Sequence, residues 1–594
     1  MDNSLSDISS SQICLPENVT PFSKEYVRLT KQEYIQLKAD NAFWKAQHVR
    51  AVKRAEEQEE ALKKEWEKER AGFLEREETL KKELEKERGK NRDLCQRLYG
   101  KKSEKGSSSR SDKDVEGQKS PNKRGQQPGS KGHGNTPRPD LPINEVELDF
   151  PDGEACCPNC QKPYILTSMT DDSDYIEIAV QAYIRRIKRK SYKPGCQCPN
   201  LPGLITPPLP PRLLSKNTLT ESVWSEVLLD KFLYARPTHR LLEYYKTLGF
   251  PISQGTITGG LQRLAPVFEP LVKAMHEKQM TESLFWGDET RWMVFEVVEG
   301  KKGYRWYLWV IISKSVVYYL VAPGRGSNVP KDHFKSLEGS TWRIIFICDR
   351  YSAYKKMARD MPIFLLAFCW AHVRRDFIDA ARRFPEQKAW MLDWVREIRE
   401  LYRINRRRIA VWDKDKTLEQ QSPEFQEQHK ALIDALSRME QRRDELLLQK
   451  ELTAPQKAVL SSLKTHWLGL VIFVSHPEVS MDNNKSERAV RKGVNGRKNY
   501  YGSGSQWSAN LMAGMLTMLQ TIKLWGIDPR HWLMDFLNAC AANGGKSPTD
   551  LSPFLPWEMD EERKQFLSKP FLSEWPWPLG NQPNLEILKP QNTS

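Results

Sequence analysis

Two aspartates stand where strands should be apolar. Asp288 follows Leu284, Phe285 and Trp286 in the run SLFWGDETRW, and Asp349 follows Ile344, Ile345, Phe346, Ile347 and Cys348. A carboxylate in so hydrophobic a run is costly to desolvate unless a cation or metal ion lies against it. Glu289 is adjacent, but side chains alternate along a strand, so only one of the two faces a given site. Asp349, at a strand end, also reads as a cap for the helix that follows. The segment SHPEVSMDNNKSERAVRKGVNGRKNYYGSGS offers a third acid among Glu478, Asp482 and Glu487. SERAVR reads as helix with Glu487 and Arg491 one i,i+4 step apart, whereas Asp482, before Asn483 and Asn484, reads as a helix cap. Arg488, Arg491, Lys492, Arg497 and Lys498 surround Glu487 with positive charge. Carboxylates beside such a cationic segment suit metal-dependent chemistry on phosphodiesters; a structural ion-pair face is the other reading. Cys369 and His372 are two metal-ligand types without further partners, and read as packing of their helix.

The elements that must hold these acids are legible around them. SLFWGDETRWMVFEVV, YRWYLWVIIS and VVYYLVAP read as a three-stranded antiparallel meander joined by short polar turns. TWRIIFICDRYSAYK reads as a fourth strand ending on Asp349 before a helix, and PIFLLAFCWAHVRRDF as a fifth strand passing into a helix. The order β-β-β-α-β-α matches a ribonuclease H-like scaffold, in which acids sit on adjacent central strands.

Upstream lie four different kinds of segment. Leu29 to Leu98 has no proline, and Trp66, Phe73, Leu80 and Leu94 follow a seven-residue spacing that Glu87 interrupts, with Leu84 and Leu98 at the second seam position. This predicts a long helix, on the order of 100 Å, that self-associates as a coiled coil. From Lys101 to Asp140, 17 of 40 residues are Gly, Ser or Pro, with ten Lys and Arg against five acids, which predicts a basic linker. Cys157-Pro-Asn-Cys160 is followed 36 residues later by Cys196-Gln-Cys198, the paired-cysteine pattern of a zinc ribbon holding one Zn2+, with the second pair one residue short. Arg185, Arg186, Lys188, Arg189, Lys190 and Lys193 lie between the pairs and predict a basic strand face for phosphate contact. Thr218 to Met280 reads as helical, with Ser253 capping a short helix at SQGTITGGLQRL in a helix-turn-helix-like arrangement.

The 594 residues carry 92 Lys and Arg against 77 Asp and Glu, a net charge of +15, which points to an acidic polymer as partner. Ten cysteines are too dilute for a secreted disulfide scaffold. No membrane span is expected: Tyr304 to Pro323 is broken by Arg305, Ser313, Lys314 and Ser315. The polar, acidic opening MDNSLSDISSSQ is unlike a signal peptide, so the chain reads as cytoplasmic.

GDETRW, CDRYSAY, CWAHVRRDF and above all DNNKSERAVRKGVNGRKNYYGSGS resemble the transposases of the insertion-sequence sixty-six (IS-sixty-six) family. RLYGKKSEK, GQQPGSKGHG, the CPNC segment, YARPTHRLLEYYKTLGFPIS and DLSPFLPWEM follow the same resemblance in order. Arg350 stands where that family commonly has glycine, and the CQC pair is short. The resemblance implies a DDE-type site at Asp288, Asp349 and Glu487, with two Mg2+ (or Mn2+) ions for strand cleavage and strand transfer. It also implies Arg374, Arg375, Arg491 and Lys498 as phosphate neutralisers, and a bacterial, nucleoid-associated setting. Implied partners are the inverted repeats at transposon ends, target DNA, a second copy of the chain in a dimer or higher oligomer, and accessory element-encoded proteins. A non-catalytic DNA-binding regulator and a stand-alone nuclease are the competing classes.

The expected fold is thus multidomain α+β. A coiled coil (1–100) and a linker (101–140) precede a zinc-finger-like module (141–205) and a helical DNA-binding region (206–280). A ribonuclease H-like catalytic α/β domain (281–530), split by a helical insertion (376–475), and a C-terminal region (531–594) complete it. The expected DNA contacts are Arg185, Arg186, Arg374, Arg375, Arg488, Arg491, Arg497 and Lys498.

Overall fold

The computed structural model describes residues 28–99, 159–160, 162, 165, 182–193, 204–299 and 303–571, in two units, 1–100 and 101–594. In the first unit, helix α1 runs Lys31–Tyr99 without a break. Its start is a capping box: Thr30 Oγ1 accepts from the Glu33 N–H at 3.3 Å, and Glu33 Oε2 accepts from the Thr30 N–H at 2.8 Å. The seven-residue row Trp66, Phe73 and Leu80 is exposed along it. So long a helix with an uncovered apolar row gains stability by pairing.

Of the zinc-finger reading, Cys157, Cys196 and Cys198 lie outside the described residues, as do the linker and the two ends of the chain; Cys160 is exposed. Residues 182–193 form no regular strand; among the described residues they meet the chain at the bridge Tyr192↔Ile205, through the Ser191 and Thr206 hydroxyls at 2.8 Å, and through Arg189 donating to the Pro207 carbonyl at 2.9 Å. The basic strand face is therefore an irregular, exposed segment in which Arg185 and Arg186 face solvent.

The second unit is mostly helical with one mixed sheet. Helix α2 (Glu221–Leu228) continues into a π-helical turn, and α3 (Thr238–Thr247) and α4 (Gln254–Gln279) follow. Ser253 caps α4, accepting from the Thr256 N–H at 3.1 Å. The helix is not short: it passes through Pro266 and Pro270. Gly260 lies within it because a Cβ there would fall 1.9 Å from the Trp224 ring, so this glycine marks close helix packing rather than an end.

Strands β1 (Leu284–Met293), β2 (Arg305–Ile312) and β3 (Val317–Ala322) form the expected antiparallel meander. After the short helix α5 (Asn328–His333) come β4 (Ile344–Cys348), α6 (Ser352–Asp360), β5 (Phe364–Phe368) and α7 (Trp370–Arg383). The sheet order is β3-β2-β1-β4-β5, with β1, β4 and β5 parallel. Period-2 alternation divides the side chains between two cores. Trp286, Trp292, Leu308, Val310 and Ile347 pack on one face; Phe285, Trp309, Ile311 and Phe346 pack with Phe334 and Tyr354 on the other.

Helices α8 (Lys388–Ala410), α9 (Pro423–Leu448), α10 (Ala454–Thr465), α11 (Trp467–Leu470) and α12 (Ile472–Ser475) follow. Then come α13 (Asn484–Tyr500), α14 (Gln506–Leu524), α15 (Pro529–Ala542) and α16 (Glu561–Ser568). Helix α14 lies along β3, where the Thr521 and Thr517 hydroxyls accept the outward N–H groups of Val317 and Tyr319 at 3.0 and 2.9 Å. At the opposite edge, α11 is so close to β5 that a Cβ on Gly469 would lie 2.7 Å from the Leu366 carbonyl oxygen. Among the described residues no single helix is long and apolar enough to cross a membrane.

Candidate active site

The parallel pairing of β1 with β4 sets Trp286 beside Ile347. Continued two residues, that register brings Asp288 level with Asp349, which sits just past the end of β4. Gly287 precedes Asp288 because a Cβ there would collide with the Phe346 ring at 2.3 Å. Asp349 does not cap α6: its Oδ1 accepts from the Tyr351 N–H at 2.9 Å, a turn ahead of the helix, whose N-cap is Tyr351.

The third acid arrives on α13. Its N-cap, Asn483, is almost wholly buried and donates from Nδ2 to the Gly287 carbonyl at 2.7 Å. The Asn483 N–H donates to Cys369 Sγ at 3.2 Å, and the Trp370 N–H donates to the Met481 carbonyl at 2.9 Å. The starts of α7 and α13 are thus stitched to each other and to β1, which fixes Glu487 in the first turn of α13. Gly493 lets this helix settle on the sheet, since a Cβ would lie 2.2 Å from Leu308 Cδ2. Asp482 is not the cap; it accepts from the Tyr402 hydroxyl of α8 and from Asn484 Nδ2.

Electrostatically the three acids form one cluster. Burial chiefly, then the charges of Glu289, Asp349 and Glu487, push the Asp288 carboxyl up to about 8, against the Glu289 N–H that donates to it. Glu487 Oε1 is buried without a hydrogen-bond partner, 3.9 Å from His372 Nε2. Burial, with Arg375 nearby, holds His372 below its ordinary value, although Glu487 and Asp349 oppose this. Glu289 belongs to another set of contacts: its side chain accepts from Arg325 Nε at 2.8 Å and from the Tyr354 hydroxyl. Burial raises it, and these partners pull it back.

The cations divide into two groups. Arg375, Arg488, Arg491 and Lys498 are exposed. Arg497 instead donates to Thr290 Oγ1 at 3.1 Å and to the Arg291 carbonyl, tying α13 to β1. Arg374 is half-buried on α7. Arg350, which follows Asp349, pairs with Asp376 at 2.5 Å and donates to Ser462 Oγ at 3.0 Å, joining β4 to α7 and α10. Lys485, 3.8 Å over the Trp286 ring, and the meeting of Cys369 and His372 with Glu487 lie beyond the sequence reading, which takes that Cys–His pair as packing. The CWAH spacing was the available signal for the second, but its third member is distant in sequence.

A mixed sheet thus carries a cluster of half-buried carboxylates beside a helix rich in cations. Residues 216–511 match the Transposase IS66 family, and this segment, which contains the sheet and all three acids, belongs to that family. A transposase-type function follows from that membership. The chain is also 25% identical to the uncharacterized protein y4jD of Sinorhizobium fredii over 73% of its length and 83% of that protein's. It is 24% identical to the uncharacterized protein y4hP of the same organism, covering 70% of this chain and 75% of that one. No solved structure matches the chain.

Proposed function

We propose that this chain is a DDE-type transposase that cleaves DNA at transposon ends and joins the freed ends to target DNA. The observation that carries the reading is the parallel β1–β4 register, which continued past Trp286 and Ile347 sets Asp288 level with Asp349, together with the upward push on Asp288 by burial, then Glu289, with smaller contributions from Asp349 and Glu487. The strand order and directions support a ribonuclease H-like catalytic domain over 281–530, with 376–475 as its insertion. The residues fit divalent metal: without a cation Asp288 keeps its proton at neutrality, and Glu487 Oε1 has no partner. Asp288, Asp349 and Glu487 would hold two Mg2+ or Mn2+ ions, which when bound supply activation of water or a 3′-hydroxyl and neutralise the leaving oxygen. Asn483 sets the separation of β1 from α13, and hence of Asp288 from Glu487. Exposed Arg488, Arg491 and Lys498 neutralise phosphates, while Arg497 keeps their helix in place. No side chain needs to bond covalently to DNA. The cysteine quartet Cys157, Cys160, Cys196 and Cys198 is proposed to hold one Zn2+, with 141–205 and 206–280 as DNA-recognition modules.

The test is an end-cleavage assay on candidate transposon ends with Mg2+; nicking at the element boundary is expected. Metal-independent cutting, or cutting without regard to the boundary, would favour a different enzyme.

Two further results are expected. Arg491→Ala should reduce the slope of log affinity against log salt by about one unit on both end and random duplexes, because one phosphate contact is lost. An unchanged slope would remove Arg491 from the DNA path. Deleting residues 1–98 should weaken self-association and the pairing of two ends, because Trp66, Phe73 and Leu80 lose their partner seam. Light scattering that finds the truncated chain equally associated would locate dimerisation elsewhere.

A further inference from the structure

The start of α7 gathers three different donor atoms. Cys369 Sγ, His372 and a carboxylate oxygen of Glu487 all lie within 4.8 Å of one another. We propose that Cys369, His372 and Glu487 form a binding site for a borderline-soft divalent cation of the zinc class, distinct in chemistry from a magnesium site.

The donor set argues the metal. A thiolate and a carboxylate carry two negative charges, and the neutral imidazole adds none, so one divalent ion balances the group. Sulfur and imidazole favour zinc, cobalt and similar ions, while magnesium and calcium prefer oxygen alone. Three protein ligands with one open position is the common arrangement of accessible zinc sites. Around a tetrahedral ion such donors stand about 3.3–3.8 Å apart, and His372 Nε2 already lies 3.9 Å from Glu487 Oε1. That distance is too long for a hydrogen bond, so the two are not simply paired.

The surroundings argue for a site rather than packing. Glu487 Oε1, which faces His372 Nε2, is a buried atom with no hydrogen-bond partner, a cost that needs a compensating interaction. Burial pushes the Cys369 thiol up to about 11, and the N–H groups of Asn483, His372 and Ala371 that point at Sγ only partly oppose this, so a thiolate here would depend on a bound cation. The starts of α7 and α13 both converge here, and helix N-termini favour anionic ligands. Glu487 is shared with the acid cluster, so occupancy would withdraw it from that cluster. This consequence rests on the catalytic reading; the binding itself does not.

The experiment measures binding alone. The full chain is stripped with chelator and titrated anaerobically with Co2+, beside Cys369→Ser, His372→Gln and Glu487→Gln. The wild type should bind one more equivalent than each variant, and Cys369→Ser should lose part of the thiolate-to-cobalt absorption in the near ultraviolet. Loss of a direct ligand should weaken this equivalent beyond the roughly 10–100-fold typical of outer-shell partners. Circular dichroism checks folding; if the buried Cys369→Ser misfolds, His372→Gln, at a partly exposed position outside the proposed acid cluster, answers the same question. Equal stoichiometry and equal spectra in wild type and the folded variants would overturn the site, whether or not the chain cleaves DNA.

Discussion

Asp288→Asn, Asp349→Asn and Glu487→Gln should each lower strand cleavage by at least about 10²–10³-fold, with the chain still folded and still bound to duplex DNA. Each change keeps the side-chain volume and removes the charge that would hold metal. Asp288 lies on β1 and Asp349 just past the end of the neighbouring β4, and Glu487 is delivered by a helix whose start is bonded to Gly287 beside Asp288. Among the described residues none of the three pairs with Arg or Lys, so no such ion pair is broken by their replacement. Cleavage and DNA binding measured on the same preparations separate the two activities. A variant that cleaves at the wild-type rate would strike its residue from the site.

The second large effect is on stability. Asp288→Asn should stabilise the metal-free chain at pH 8 by on the order of 2–4 kcal/mol. The folded chain holds the Asp288 proton up to about pH 8, whereas an unfolded aspartate releases it near pH 4. Between those values unfolding releases a proton, so rising pH favours unfolding and this contribution is lost progressively from about pH 4 to pH 8. Asparagine has no such proton, so the variant should lack that slope. Thermal melts with chelator from pH 4 to pH 9 read the difference directly. Adding Mg2+ or Mn2+ should then stabilise the wild type and leave the variant nearly unchanged. Parallel pH profiles would mean that Asp288 is not the strained acid.

Asp288, Asp349 and the five strands were legible because a carboxylate inside an apolar run is a local anomaly. Glu487 was legible for the opposite reason, as an acid inside a basic helix. What local pattern could not supply was convergence: Asn483 meets Cys369 across 114 residues, and nothing near CWAH announces Glu487 as its third member. Side-chain purpose was equally hidden. Arg497 reads like its cationic neighbours, yet the fold uses it to bind the backbone of β1. Helix α4 was underestimated because Gly260, Pro266 and Pro270 look like breakers; tertiary contact with Trp224 outweighs that signal.

The two threonines on α14 and the close seat of α11 have a consequence for crowding. At high local concentration an open strand would recruit its neighbour into a continuous ribbon. Here the amide hydrogens of Val317 and Tyr319 are already engaged by hydroxyls, and the far border lies under helix backbone. Backbone templating between copies, which is neither selective nor reversible, is thereby hindered at both borders of the sheet.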